Sequence, residues 1–210
     1  METTVRACRI AVDAARNFEE LIAKSSSAAF IEVRQCELEL DQIETMIDRD
    51  IARAITRVDE DTARELLACV KMSTDAERIG DLLWWSAQRI RQDLGSRRLA
   101  ERDRRDLKAM AGVLAQMLEQ TVESFTANDS GLAETVLRRD SDVDSLRHGL
   151  FDRHLHSKGE SAMTQVVLVA QALERAGDHI KNLAEAVLHR VQGETMLHKS
   201  ASRRLRSQGA

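Results

Sequence analysis

The chain has 210 residues, enough for one large domain or two small ones with a hydrophobic core. Aromatic residues make up 3% of it and charged residues 31%, while Pro and Tyr are absent, so the composition favours an all-α fold. The net charge of −4 is too small to attract nucleic acid or a membrane surface, and no segment reaches the roughly 18 apolar residues of a membrane span. The first residues also lack the apolar stretch of a signal peptide, so we expect a cytoplasmic protein that approaches a membrane through a partner alone.

Six helices are predicted, because the sequence has few breaks. The breaks are KSSSA, RVDED, GSRRL, NDSG and SKGE, and the predicted helices span about residues 3–24, 29–57, 60–94, 100–128, 131–156 and 161–192. Short connections force consecutive helices to pack antiparallel, so each set of three closes as an elongated bundle. The prediction is two tandem antiparallel three-helix bundles, at residues 1–97 and 98–193, followed by a basic tail at 194–210.

Apolar residues recur at helical spacing on the second, third and sixth predicted helices, as expected for helices with one buried face. The three cysteines are odd in number and form no C-x-x-C motif, so they are interpreted as small core residues in a reducing compartment. The apolar stripes consist of Cys36, Leu40, Ile43 and Ile47, of Ala76, Ile79, Leu83 and Ile90, and of Val166, Ala170, Leu173, Ile180 and Val187.

A short motif on the predicted third helix is repeated on the sixth. DAERIGD occupies residues 75–81 and LERAGD residues 173–178, so Glu174 lies 97 positions after Glu77, and Asp178 lies the same distance after Asp81. Each motif places a glycine inside a helix, where Gly is about 1 kcal/mol less favourable than Ala. The repeat indicates an internal duplication, and the glycines predict that a neighbouring helix approaches closely.

A further acid pair lies on the preceding helix of each half. ELELD contains Glu37 and Asp41, and DSDVD contains Asp140 and Asp144, each 103 positions after its counterpart. In all four pairs the acids are four residues apart, so both carboxylates project from one face of the helix. Two such helices side by side would present four carboxylates at the margin of the core, which is unfavourable unless a cation neutralises them.

We therefore predict a metal site in each half of the chain. Hard carboxylate oxygens suit Mg, Mn, Fe or Ca, and Zn fits less well without Cys or a matched His. The alternative is a solvated acidic stripe, because Glu44 and Asp48 extend the line on the second helix, and Arg78 and Arg175 could neutralise carboxylates without metal. The expected ligands are Glu37, Asp41, Glu77 and Asp81 in the first half and Asp140, Asp144, Glu174 and Asp178 in the second.

The segments VKMSTDAERIGDLLWWSAQRI and VVLVAQALERAGDHIKNLAEAVLHRV resemble the paired signature helices of the PhoU family, and the similarity extends over about residues 5–192. That family consists of phosphate-signalling regulators with two three-helix bundles and acid-x-x-x-Asp metal motifs on inner helices. The resemblance implies that the four acids of each half form one metal patch for divalent or ferric ions, such as Fe, Mn, Mg or Zn. It also implies a cytosolic regulator of phosphate uptake and of phosphate-starvation transcription. Its expected partners are a phosphate ABC transporter ATPase subunit, a sensor histidine kinase and a second copy of itself.

Two departures from the family pattern concern the first half. After the motif's Asp the family prefers a small residue and then Asn, and the second half has Asn182 where the first has Trp85. A proline that often precedes the family's third helix is also absent, so the second half is the closer match to the metal motif. Trp84 lies in line with Glu77 and is predicted to be buried beside the first acids. Trp85 points elsewhere, either to a partner or against the other half.

Other functions are compatible with the sequence to different degrees. A PhoU-like regulator of a different transporter fits equally well. A ferritin-like metal protein needs Glu-x-x-His on two helices, and no Glu here is followed by His at that spacing. Histidine phosphotransfer would use a helical histidine, but such residues more often serve packing or lie on the surface. No nucleophile with an adjacent base and no Gly-rich phosphate loop occurs, so the sequence predicts a protein that is not an enzyme.

Overall fold

The computed structural model describes residues 1–93, 99–155 and 161–192, and nearly all of these residues are helical. The helices are α1 (Glu2–Lys24), α2 (Ser27–Ala54), α3 (Glu60–Asp93), α4 (Glu101–Ala127), α5 (Ser130–Leu155) and α6 (Ser161–Gln192), with a 3-10 turn at Ile55–Arg57 after α2. The six predicted helices are therefore confirmed, in the predicted order. The expected boundary between residues 97 and 98 and the basic tail at 194–210 lie outside the described residues. None of the helices in the described ranges combines the length and apolar character that a membrane span requires.

Short polar side chains define where several helices begin and end. Ser26 Oγ accepts a hydrogen bond from Ala29 N at the start of α2, and Asp59 Oδ1 accepts one from Thr62 N at the start of α3. These bonds satisfy backbone N–H groups that have no partner inside the helix. The residue that follows α4 is Asn128. Its φ of 53° is left-handed, a conformation that Asn tolerates at helix C-termini.

The two bundles share one hydrophobic core. α1, α2 and α3 pack against one another, as do α4, α5 and α6, and this confirms the two-bundle fold. In addition, α1 packs on α4 and α3 packs on α6, so buried residues from both halves form a single cluster. The four helices α1, α3, α4 and α6 therefore form the centre of the molecule. α2 packs on α1 and α3 in the first bundle, and α5 packs on α4 and α6 in the second.

The predicted buried faces are largely confirmed. Leu40, Ile43 and Ile47 on α2 are buried, whereas Cys36 and Ile90 are half-buried at the edge of the core. All three cysteines are free, and Cys8 and Cys69 are buried. The other residues of the predicted stripes are buried: Ala76, Ile79, Leu83, Val166, Ala170, Leu173, Ile180 and Val187.

The two motif glycines differ in how closely a neighbouring helix approaches them. A Cβ at Gly80 would lie 2.6 Å from Leu40 Cδ1 and 3.7 Å from Glu37 Cα, so α3 contacts the backbone of α2 at this point. A Cβ at Gly177 would meet its nearest atom, Leu114 Cδ2, at 3.5 Å, which is an ordinary van der Waals distance. The close helix approach predicted from the glycines is therefore present at Gly80. At Gly177 there is room for a methyl group.

This difference predicts opposite effects for the same substitution in the two halves. Gly80→Ala should lower the free energy of unfolding by about 1–3 kcal/mol, because the fully buried Leu40 must move. Gly177→Ala is the matched control and should be neutral or stabilising by up to about 1 kcal/mol, because Ala favours the helix. Chemical denaturation of both variants measures the difference, and an equal loss of stability in the two would contradict this account of the crossing.

Candidate metal centres

The predicted first acid patch consists of Glu37 and Asp41 on α2 and Glu77 and Asp81 on α3, two helices that pack against each other. Burial raises the pKa of Glu37, Arg34 opposes this effect, and the charges of Asp81 and Asp41 raise the pKa further. Asp81 lies on the other helix, so the charge of at least one carboxylate of α3 acts on Glu37. Glu37 and Asp81 are partly buried, and Asp41 is exposed.

Glu77 is the most buried acid of the first patch, with 9% of its surface exposed. Its Oε2 atom is buried and, among the described residues, accepts no hydrogen bond. The nearest cation is Arg78, whose Nε lies 3.5 Å away, beyond normal hydrogen-bond distance. Burial, followed by the charge of Asp81, raises the pKa of Glu77 to about 7. A buried carboxylate oxygen without a donor is uncommon in proteins, and this one marks a place where a cation would be favourable.

The arginines of the first patch lie at its rim. Arg34 Nη1 donates to Glu37 Oε2 at 2.6 Å, and Arg78 Nη1 lies 3.5 Å from Asp81 Oδ2. Each arginine pairs with an acid three residues away on its own helix. Within the described ranges, no side-chain cation links a carboxylate of α2 to one of α3. The acids of α2 and those of α3 therefore contact different arginines.

The second acid patch consists of Asp140 and Asp144 on α5 and Glu174 and Asp178 on α6. Burial raises the pKa of Glu174, and the charges of Asp178, Asp144 and Asp140 raise it further, against the opposing effect of Arg147. The acids from both helices are therefore again close neighbours. The duplication seen in the sequence places equivalent acids at equivalent helix crossings.

Lys181 occupies the centre of the second patch. Its Nζ donates to Asp140 Oδ2 at 2.8 Å and lies 2.7 Å from Asp178 Oδ1, so it joins α5 to α6. Burial lowers the pKa of Lys181, but its hydrogen bonds with Asp140 and Asp178 outweigh this effect and raise the pKa above its usual range. Lys181 was not among the predicted site residues. It lies 97 positions after Trp84, so the offset that aligned the acids would have paired the two residues.

The two patches therefore differ in how well they suit a metal ion. As the side chains are placed, no three Asp, Glu, His or Cys residues in the described ranges form a ready set of metal ligands. The first patch nevertheless fits a hard cation, because it offers oxygen donors from two helices and the buried, unbonded Oε2 of Glu77. Binding there requires Glu37 and Asp81 to turn away from their arginines. In the second patch Lys181 already fills the space between the helices.

The two tryptophans lie beside the first patch and are both half-buried. Trp84 was predicted to be buried, and the structure leaves it half-buried at the edge of the core, packed against α2. There it contacts the Phe30 ring at 5.0 Å and the Arg34 guanidinium at 5.1 Å. Trp85 lines a groove of about 570 Å³ between α3 and α6, and Arg89 covers its ring at 4.2 Å. Trp85 is packed at the edge of the core, and the choice between partner contact and packing against the second half stays a prediction.

A polar contact near the acid patches joins the two bundles. His179 Nδ1 lies 2.8 Å from Asp75 Oδ1, and Asn182 Nδ2 donates to the same oxygen at 3.1 Å. Asp75 belongs to α3, and its two partners belong to α6. The sequence motifs contain all three residues, but their spacing gave no sign that they meet across the bundles. Of the histidines considered for phosphotransfer, His148, His154, His179 and His189 lie on helices, and His156 lies outside the described residues.

Comparison with known proteins places the chain in a family. A family model described as the PhoU domain matches residues 4–90 and 107–187, one match in each bundle. Because these matches cover most of the chain, the protein belongs to the PhoU family.

Several similar proteins are named for a role in phosphate transport. A protein from Burkholderia sp. named "Phosphate-specific transport system accessory protein PhoU homolog" is 31% identical over 180 residues, which cover 80% of this chain and 75% of that protein. A protein of the same name from Pseudomonas aeruginosa is 26% identical over 179 residues, or 82% of this chain and 74% of the relative.

Two crystal structures share the fold. PhoU from Pseudomonas aeruginosa matches with a TM-score of 0.83 at 22% identity, covering 92% of this chain and 95% of that one. The phosphate transport system regulatory protein PhoU from Streptococcus pneumoniae matches with a TM-score of 0.77 at 18% identity, covering 92% and 94%.

The raised pKa of Glu77 predicts how stability depends on pH in metal-free protein. The folded-state pKa of about 7 lies above the ordinary value of 4.5, so ionisation of Glu77 weakens the folded state as the pH rises between these values. Glu77→Gln removes that ionisation and should raise the free energy of unfolding by about 1–3 kcal/mol above pH 7. Below pH 4.5 the acid is protonated in both states, and the variant should match the wild type.

Denaturation in EDTA across this pH range measures the effect. The exposed Glu32 on the same helix pair supplies the control, because Glu32→Gln should leave the pH profile unchanged. If the free energies of unfolding of Glu77→Gln and the wild type differ by the same amount at all pH values, the buried-charge explanation is contradicted.

Proposed function

We propose that this protein is an accessory regulator of phosphate uptake and that it is not an enzyme. The observation that carries the proposal is the match of the PhoU domain in each of its two bundles. Its relatives are named as accessory proteins of phosphate-specific transport systems, and they align over most of this chain. The sequence also lacks a nucleophile with an adjacent base and a Gly-rich phosphate loop, which agrees with a role in binding.

The regulator acts in the cytoplasm through protein contacts. Its partners are the ATPase subunit of a phosphate ABC transporter and a sensor histidine kinase, and it represses phosphate-starvation transcription when phosphate is plentiful. The protein forms a homodimer, and it reaches the membrane through its transporter partner. The proposal of these contacts rests on the family resemblance and on a fold with long helical faces that a partner could bind.

A metal ion in the first acid patch is part of this proposal. Glu37, Asp41, Glu77 and Asp81 would hold a hard cation such as Mn, Fe or Mg, and the unbonded Oε2 of Glu77 supports this assignment. When bound, the ion supplies positive charge that offsets the repulsion between carboxylates of α2 and α3. The residues themselves then hold the two helices together at the Gly80 crossing.

Deletion of the gene tests the regulatory role. A deletion strain grown in high phosphate should express its phosphate-starvation genes, because the repressing contact is lost. A transcriptional reporter measures this, and a plasmid copy of the wild-type gene should restore repression. Unchanged phosphate-responsive expression in the deletion strain would contradict the proposal and favour regulation of a different transporter.

The partner contacts require a separate measurement. The full chain, isolated from cells under mild crosslinking, should bring with it a transporter ATPase subunit or a sensor kinase, identified by mass spectrometry. Recovery of neither protein, from cells in which deletion does derepress the genes, would contradict direct contact while leaving the regulatory role in place.

A further inference from the structure

The second acid patch contains a cation that joins its two helices, whereas the arginines of the first patch pair with acids of their own helices. Lys181 Nζ lies within 2.8 Å of Asp140 on α5 and 2.7 Å of Asp178 on α6. We propose that Lys181 replaces a metal ion in the second patch, so that this protein binds metal in the first patch alone. The inference rests on the proposed metal site of the first patch and assigns the two halves of the duplication different chemistry.

The position of Lys181 is the reason that it can replace a metal. A shared ion at a helix crossing would neutralise one carboxylate from each helix, and the lysine ammonium does this for Asp140 and Asp178. An ammonium is a compact point charge with three donors, so it can hold oxygens of two helices at once. A divalent ion beside it would be repelled over a few ångströms in a partly buried site. The lysine side chain is 28% exposed, so solvent screens this repulsion only in part.

The first patch has no equivalent cation. The residue at the position of Lys181 is Trp84, which carries no charge and packs against Phe30. Arg34 and Arg78 pair with acids of their own helices at the rim, and the buried Oε2 of Glu77 accepts no hydrogen bond. Among the described residues, no lysine or arginine therefore joins acids of α2 to acids of α3 as Lys181 joins Asp140 to Asp178.

This asymmetry has a consequence for regulation. The crossing of α5 and α6 is held by Lys181 whether metal is present or not. The crossing of α2 and α3 depends on metal, because like-charged carboxylates otherwise face each other there. A change in metal supply should therefore alter the first bundle and leave the second unchanged.

Metal counting on the full chain tests the location of the site. Protein purified without a histidine tag is stripped with EDTA, dialysed against Mn²⁺ and analysed for bound Mn²⁺. The double variant Glu77→Gln, Asp81→Asn should lose the bound Mn²⁺. The matched variant Asp140→Asn, Asp178→Asn should bind as much as the wild type. Equal losses in the two double variants would overturn the proposal.

Substitutions at Lys181 and at the corresponding position in the first half, Trp84, test the role of Lys181. Lys181→Met should melt several degrees below the wild type in EDTA, recover with Mn²⁺, and bind about twofold more Mn²⁺ than the wild type. Trp84→Lys should place an ammonium in the first patch and abolish Mn²⁺ binding there. Lys108→Met, at an exposed site on α4, is the control and should change neither quantity.

The outcomes separate this inference from the function on which it rests. Absence of Mn²⁺ binding by the wild type would contradict the proposed metal site and, with it, the asymmetry. The role of Lys181 is judged separately: if Lys181→Met melts like the wild type in EDTA, or binds no additional Mn²⁺, Lys181 is not a substitute for metal. If Lys181→Met does not fold, Trp84→Lys decides, because retained Mn²⁺ binding in that variant would overturn the proposal.

Discussion

Like-charged carboxylates from neighbouring helices meet at the margin of the core, and the packing of each bundle depends on what neutralises them. In the first half these acids lie where α3 approaches α2 so closely at Gly80 that an added methyl group would collide with Leu40. Placing such charges partly out of water is unfavourable without a compensating positive charge. The second half supplies this charge with Lys181, whereas the first half leaves Oε2 of Glu77 without a hydrogen bond. We therefore propose that the duplicated acids form one crossing that Lys181 neutralises and one that a metal ion would neutralise.

The position of α3 connects the first patch to the rest of the molecule. α3 carries Glu77 and Asp81, and it also packs along α6 in the core that the bundles share. Asp75 lies two residues before Glu77. Its Oδ1 atom accepts a hydrogen bond from Asn182 Nδ2 and lies 2.8 Å from His179 Nδ1, and both partners belong to α6. An ion that repositions α3 against α2 would therefore act on the helix that joins the two bundles. This arrangement suits a regulator, because a local charge change reaches an extended helical surface.

Much of the fold could be predicted from the sequence, because each predictive signal is local. Absence of proline, caps such as Ser26 and Asp59, and apolar residues at helical spacing act within one helix, and they gave the six helices and most of the buried residues. The i, i+4 spacing combined with the duplication predicts two groups of four acids, and that grouping stays a prediction. Features that depend on contacts between helices could not be predicted. Helical periodicity does not show that α2 leaves Trp84 half-buried, nor that Lys181 reaches Asp140 on another helix.

The central claim is that one half of the duplication binds metal and the other replaces it with a lysine. Anomalous diffraction from crystals of the wild-type protein grown with Mn²⁺ tests this most directly, because it locates each ion among the side chains. The account predicts an anomalous peak between α2 and α3, beside Glu77 and Asp81, and none between Asp140 and Asp178. A peak in the second patch with Lys181 displaced would contradict the account. So would a second patch that holds Mn²⁺ while the first patch is empty.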